Sequence, residues 1–401
     1  MRAFNAENEL GITAEAIYQG NYNDLYTKID AALQEGEPPQ LAAAYIEQIL
    51  AWEQAQADAI ADLEPYVNDP QWGLTGAEQA DFYPLFWKDD MVKGKRIGLP
   101  AQRSAYVLAY NTSWARELGF SAPPETPAQF RAQACAAAAA NRLDADPDND
   151  GTGGLAVNTA PSAILSWFFA FDSPVVKPDG SGYAFDTPET EKTLTFLKSL
   201  YDGGCAWQKS DASPDEYAEA EFAARQALFI TTALADLPQL GAAMRSANNR
   251  DKWTVIGFPT ADRQPVIGTF GPSFVVFQGR PGEQLAAWLL AEWLSAPAQQ
   301  ARFIQASSTF PTRADTLDLL DRYKTEQPQW AAAQALLANA RSEPAFASWR
   351  VVRLVLSDVG TQVFRYYFTG DRISATLELM DDTAAELHAR YAEPSPGTPI
   401  P

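Results

Sequence analysis

Three aspartates, Asp146, Asp148 and Asp150, stand at alternate positions in the stretch DADPDNDGTGG, directly ahead of Gly151. Carboxylates at the first, third and fifth places of a loop, with a sharply turning glycine at the sixth, form the first half of an EF-hand calcium site. The twelfth place, where a bidentate glutamate would complete the sphere, is Val157. The full motif fails, and two readings stay open. One is a structural calcium on Asp146, Asp148 and Asp150; the other is a turn whose three carboxylates are kept apart by water. The sequence requires no other cofactor.

Much other chemistry is absent by residue type. His388 is the only histidine and lies in ELHARY, which reads as a solvated helix. That removes Ser-His-Asp hydrolysis and histidine-rich zinc sites. No Gly-x-Ser-x-Gly elbow, Walker loop, Cys-x-x-Cys or Gly-x-Gly-x-x-Gly occurs. A glycosidase working through paired carboxylates stays open, because 51 acidic residues are available and none is singled out. Against 30 basic residues they give a formal charge of −21, which argues against nucleic acid or an anionic membrane surface as partner.

Cys135 falls in a helical stretch, AQACAAAAAN, and Cys205 in the turn DGGCAW. They are either separate buried thiols or a staple; the Gly pair puts Cys205 in a surface loop, where a bridge is the better use. A lasting bridge implies an oxidising compartment. No run approaches the roughly 20 apolar residues of a membrane span, and no charged-then-apolar leader precedes the fold. Either the protein is cytosolic or its export signal lies upstream of Met1.

The chain holds 11 Trp, 15 Tyr and 21 Phe. Most must be core. Tyr18, Tyr22, Tyr45, Tyr106, Phe270, Phe310 and Trp349 fall where strands end and loops begin, where rings can stack on the C–H faces of a sugar.

The elements that must position these groups alternate between strand and helix, which predicts α/β architecture, and 401 residues suffice for two lobes. A helix end and then a strand over Ile12 to Tyr18 open the chain. A helix follows from Asn21 to Gln34, with Asn21 as N-cap and Gly36 as stop, and PPQLAAAY reads as a buried strand. Thr126-Pro127 and Thr187-Pro188 carry the cap and N1 proline of helix starts. KRIGLPAQ, YVLAYN, ALFITT, TVIGF and PSFVVF read as strands; PGEQLAAWLLAEWLS reads as an amphipathic helix with Leu285, Trp288, Leu289 and Trp293 on one side.

In this order, AIYQGNYNDLYTKIDAALQEGEPPQL, GKRIGLPAQRSAYVLAYN, PETPAQF, YAFDTPETEKTLTFLKSLYDGG, ARQALFITT, GTFGPSFVVF, LAAWLLAEWLSAPAQQARF and SSTFPTR resemble the extracellular solute-binding proteins of ABC importers, in the branch of maltose and glycerol-3-phosphate binders. The resemblance spans nearly the whole chain. It implies a two-lobed, type II periplasmic-binding-protein-like fold with crossover strands, a ligand cleft between lobes and closure that signals to ABC permease subunits. The implied division is an N-lobe of 1–104 and 270–310, a C-lobe of 105–269 and 311–392, and a disordered tail, 393–401. The family's first strand and leader are not matched, so the resemblance implies an extracytoplasmic protein, periplasmic or lipoprotein-anchored, in a longer form.

Carried over residue by residue, the implied ligand contacts are Tyr18 and Tyr22 in Y-x-G-x-Y, Glu47 as acceptor of substrate hydroxyls, Arg103 and Ser104 before a crossover strand, and Gly271 and Ser273 at a Gly-rich strand start. Thr309 and Phe310 stand where the family shows TGY-x-P, and Trp349 with Arg350 or Arg353 matches a late C-lobe contact. The expected ligand is a carbohydrate, with a glycerol phosphate as alternative; the expected partner is a permease, and the expected state a monomer without catalysis. A sensory or partner-binding descendant of the fold is a third reading.

Overall fold

The computed structural model describes residues 1–208 and 218–392; the predicted tail 393–401 lies outside the described residues. Its principal strands are β1 (Leu41–Ala44), β2 (Leu99–Pro100), β3 (Ser104–Asn111), β4 (Gly153–Ala156), β5 (Ala206–Trp207), β6 (Ala227–Ala233), β7 (Trp253–Ile256), β8 (Ile267–Phe270), β9 (Ser273–Val276) and β10 (Ala340–Ser342). The helices that matter for the site are α1 (Arg2–Glu7), α2 (Tyr22–Glu35), α3 (Ile46–Ala55), α4 (Pro127–Leu143), α5 (Pro161–Ala170), α6 (Pro188–Asp202), α7 (Pro281–Ser295), α8 (Pro297–Ser307), α9 (Trp349–Val363) and α10 (Ile373–Ala392).

Two sheets organise the chain. The small one runs β1–β9–β2, antiparallel throughout. The large one runs β10–β8–β3–β6–β4–β5, with β7 also paired to β3. Its strands are buried along their length: all eight residues of β3 and all seven of β6 are inaccessible, as a sheet covered by helices on both faces requires. One apolar core, built on Tyr110, Phe130, Trp167, Phe229 and Leu356, packs α4, α5, α6, α9 and α10 on the large sheet. Separate cores around Trp52 and Trp288 pack α2, α3 and α7 on the small one.

Local signals set the helix ends. The Asn21 side chain accepts from the Asn23 and Asp24 amides while Asp24 reaches back to the Asn21 amide, and Gly36 closes α2 at φ 79°. Thr126 and Thr187 cap α4 and α6 through the amides of Gln129 and Thr190, each with proline at the first helical position. Such a cap contributes about 1 kcal/mol. Cys135 of α4 is bonded to Cys205 in the turn after α6.

Three local expectations are corrected. Residues Ile12–Tyr18 form no strand; they run extended over the surface, with Ile17 69% and Tyr18 89% exposed. Cys205 is buried, because the Gly-Gly turn folds back onto β4. His388 is half-buried: its Nδ1 shares a hydrogen bond with the Ser348 hydroxyl at 2.8 Å, and its ring packs edge-on against Tyr183 and Phe346. On α7, Trp288 is fully buried and Leu285 and Leu289 line the same core, while Trp293 turns instead to Phe4 of α1.

Candidate functional site

The chain passes between the two sheets at β2–β3, at β8–β9 and again near Phe310. One arginine stitches these crossings together. Arg103 donates to the carbonyls of Gln102 and Pro272 at 2.9 and 2.7 Å and to the Ser273 hydroxyl at 3.1 Å, while its own carbonyl accepts the Phe310 amide at 2.7 Å. The Ser273 hydroxyl in turn donates to Asp90, which is wholly buried and 3.7 Å from the Arg103 guanidinium. Burial raises the Asp90 carboxyl to about 6, against the pull of Arg103 and Ser273. Gly271, at φ 154°, brings its backbone so close that a Cβ would lie 2.3 Å from the Gln102 carbonyl oxygen; only glycine fits that crossing.

Beside this hinge, a polar cluster joins the lobes. Glu47, in the first turn of α3 on the small-sheet side, is 4% exposed and faces Arg353 of α9, on the large-sheet side, at 4.0 Å. Arg353 also reaches the hydroxyl of Ser162, at the start of α5, at 3.5 Å. Ser162 donates to Glu343, whose other oxygen accepts the Trp349 indole N–H at 2.8 Å. Burial raises Glu47 to about 7, relieved in part by Arg353 and reinforced by Glu343. Burial works against the charge of Arg353, but Glu343 and Glu47 outweigh it and lift its pKa above the ordinary arginine value.

Rings surround these charges. Tyr22 meets Tyr45 edge-on at 4.4 Å, Tyr106 lies 5.5 Å from Phe270, and Trp349 stacks on Tyr183 at 5.9 Å. Burial raises the Tyr45 and Tyr22 hydroxyls, so both stay neutral donors at physiological pH. Arg350 covers the Tyr26 ring at 4.4 Å and donates to the Tyr391 hydroxyl. Among the described residues, the buried polar atoms without a hydrogen-bond partner include the Ser104 hydroxyl, at the start of β3 opposite Phe270, and the Asn158 amide nitrogen, in the loop from β4 to α5. Groups at the carboxyl ends of strands, where chain direction opens a crevice, are the usual ligand contacts of open α/β sheets.

The structure therefore gathers Tyr22, Glu47, Trp349 and Arg353 in one interlobe cluster, with Ser104 on the strand that leads to Tyr106. Arg103, Gly271 and Ser273 lie in the hinge. Thr309 is buried against Ser307, its carbonyl accepting the Trp330 indole N–H, and Phe310 is buried in the core beneath β3. Tyr18 stands in solvent. Sequence reasoning missed Ser162, Asn158 and Glu343. The loop before α5 could have been found from its place after a central strand; Glu343, in RSEPAF, carries no local signal.

The aspartate loop does not fit a metal. Asp144 accepts the Asp146 amide and the Asn149 side chain, Asp146 accepts the Asp148 amide, and among the described residues no group of three or more acidic, histidine or cysteine side chains is placed to hold an ion.

Two sheets joined by three stitched crossings, with a polar cluster between the lobes, define a hinged ligand-binding protein. The chain belongs to the bacterial extracellular solute-binding protein family, whose profile matches residues 1–339. No protein of curated function matches the sequence significantly. In fold it is similar to the sugar-binding protein MalE of Xanthomonas citri, at 20% identity over 98% of this chain and 93% of that one, TM-score 0.82. It is also similar to UgpB of Mycobacterium tuberculosis, determined with glycerophosphocholine, at 15% identity over 94% and 91%, TM-score 0.73. The maltotriose-binding protein of Thermus thermophilus aligns at 18% identity over 97% and 94%, TM-score 0.67. Among the described residues no helix is long and apolar enough to cross a membrane.

Proposed function

We propose that this protein is the substrate-binding component of an ABC transporter, that it takes a neutral carbohydrate between its lobes, and that lobe closure presents the ligand to permease subunits. The observation that carries the reading is the pairing of Glu47 with Arg353 across the cleft, inside a ring of Tyr22, Tyr45, Tyr106 and Trp349. Carboxylates accept sugar hydroxyls, aromatic faces cover C–H surfaces, and Glu47 and Glu343 around Arg353 leave no surplus positive charge for an anionic ligand to answer. The protein works outside the cytoplasm, as a monomer, and turns nothing over.

A glycerol phosphate or glycerophosphodiester is the second reading, because Arg353 is a bidentate-capable cation within the cleft and the UgpB likeness is of similar extent. Calorimetric titration of the purified protein with maltotriose, other neutral glycans, glycerol 3-phosphate and glycerophosphocholine separates the two. Saturation near one glycan per chain with the glycan recovered unchanged is expected. Binding of the phosphate compounds alone would reverse the ranking, and cleavage of any glycoside would end the transport reading.

A further inference from the structure

Arg353 is the cleft's anchor for any anion, yet it is engaged from both lobes. Glu47 faces it at 4.0 Å from α3, and Glu343 reaches it through the Ser162 hydroxyl, which accepts from Arg353 while donating to Glu343. Glu343 is held in place by a second bond, the Trp349 indole N–H at 2.8 Å, and Trp349 is fully buried. Arg350 stands on the Tyr26 ring and donates to Tyr391. An anion entering here would meet two carboxylates as well as one guanidinium.

We propose that Glu343 is a specificity-determining residue: with Ser162 as bridge, it occupies Arg353 and screens the cleft against phosphate monoesters, leaving it open to neutral polyols. Specificity then comes from the repulsive element and not from an added attraction. A neutral hydroxyl can displace the Ser162 bridge and bond to either partner, since a hydroxyl both donates and accepts. A phosphate dianion only accepts, so it can satisfy Arg353 only while standing beside an unpaired carboxylate, which is strongly unfavourable where water is excluded. The proposal rests on the cleft being the ligand site; it does not require that the ligand be a particular sugar.

The test titrates wild type, E343Q and E47Q with glycerol 3-phosphate, inorganic phosphate and maltotriose. Gln at position 343 keeps an amide oxygen to accept from Ser162 or Trp349 and removes only the charge. The expected result is a gain on the order of tenfold or more in glycerol 3-phosphate affinity for E343Q, steeper in its salt dependence than glycan binding, with a smaller gain for E47Q. Should E343Q fold poorly, E343A also removes the charge and should raise glycerol 3-phosphate affinity in the same direction, whereas S162A, which breaks the bridge with the charge in place, should not. Variants that melt with the wild type and still reject the phosphate ester would overturn the screening role, as would wild type already binding glycerol 3-phosphate more tightly than E343Q does. Failure of maltotriose and other glycans to bind wild type would count against the carbohydrate reading alone, leaving the phosphate arm to decide Glu343.

Discussion

The hinge and the interlobe cluster each set an arginine between acidic groups, Arg103 buried and Arg353 half-buried, and they use it differently. Arg103 gives three bonds, two to backbone carbonyls and one to the Ser273 hydroxyl, and its own carbonyl receives a fourth, so its partners are fixed parts of the chain crossings. Among the described residues Arg353 meets side chains, Glu47 at 4.0 Å and Ser162 at 3.5 Å, which are free to re-pair without moving the backbone. A buried ion pair tied into backbone sets geometry; one held by side chains across two lobes can be exchanged. The same residue type therefore serves as rivet in one place and as contact in the other.

The contrast breaks most visibly at the hinge. R103A leaves Asp90 buried without its cation and should cost about 3–5 kcal/mol in chemical unfolding. A loss below about 1 kcal/mol would mean that the crossings are not tied through this arginine. Within the large lobe, the bridge between Cys135 and Cys205 spans 70 residues. Reduction, or C135S/C205S, should cost about 2–4 kcal/mol while leaving ligand affinity nearly unchanged, because the bridge joins α4 to a turn of the same lobe. Coupled loss of affinity would show that the cleft depends on it.

The two regions share a pH signature. Glu47 and Asp90 titrate at about 7 and about 6 in the folded chain, above their ordinary 4.5 and 3.8. The folded state thus holds extra protons between about pH 4 and 7, so stability must fall as pH rises through that window and level off above it. Denaturation at pH 5 and pH 8 should differ by on the order of 2 kcal/mol, and E47Q should flatten the slope near neutrality; an unchanged slope in E47Q and D90N would assign the effect elsewhere. At the cleft alone, E47Q should weaken glycan binding about tenfold, roughly 1.4 kcal/mol, with little change in melting at pH 5, where burial keeps the wild-type carboxyl protonated. The smallest effect belongs to the aspartate loop: excess calcium or chelator should leave the melting temperature within about 1 °C, whereas saturation at 100 times a dissociation constant would add about 2.7 kcal/mol.

Much of the fold is legible along the chain. Asn21, Thr126 and Thr187 announce helix starts through hydrogen bonds that reach only two or three residues ahead, and β3 and β6 show as largely apolar runs, AYVLAY and ALFI, because both faces of their sheet are covered. Ile12–Tyr18 alternates like a strand and is not one, since a strand exists only by pairing and its residues find no neighbour in either sheet. Of the interlobe cluster, Tyr22, Glu47, Trp349 and Arg353 are named by the resemblance, whereas Glu343 and Ser162 lie 181 residues apart and show no relation until the fold joins them by a hydrogen bond. The same limit applies to Arg103 and Ser273, which lie 170 residues apart and are bonded to each other only through the fold.

The sequence by itself determined the helix caps, the apolar strands, the surplus of negative charge and the absence of histidine chemistry, all properties of residue type or of spacing within one element. Which arginine became rivet and which became contact was decided only when two sheets were brought together, because burial and the company of carboxylates are created by chain crossings and not by neighbours in sequence.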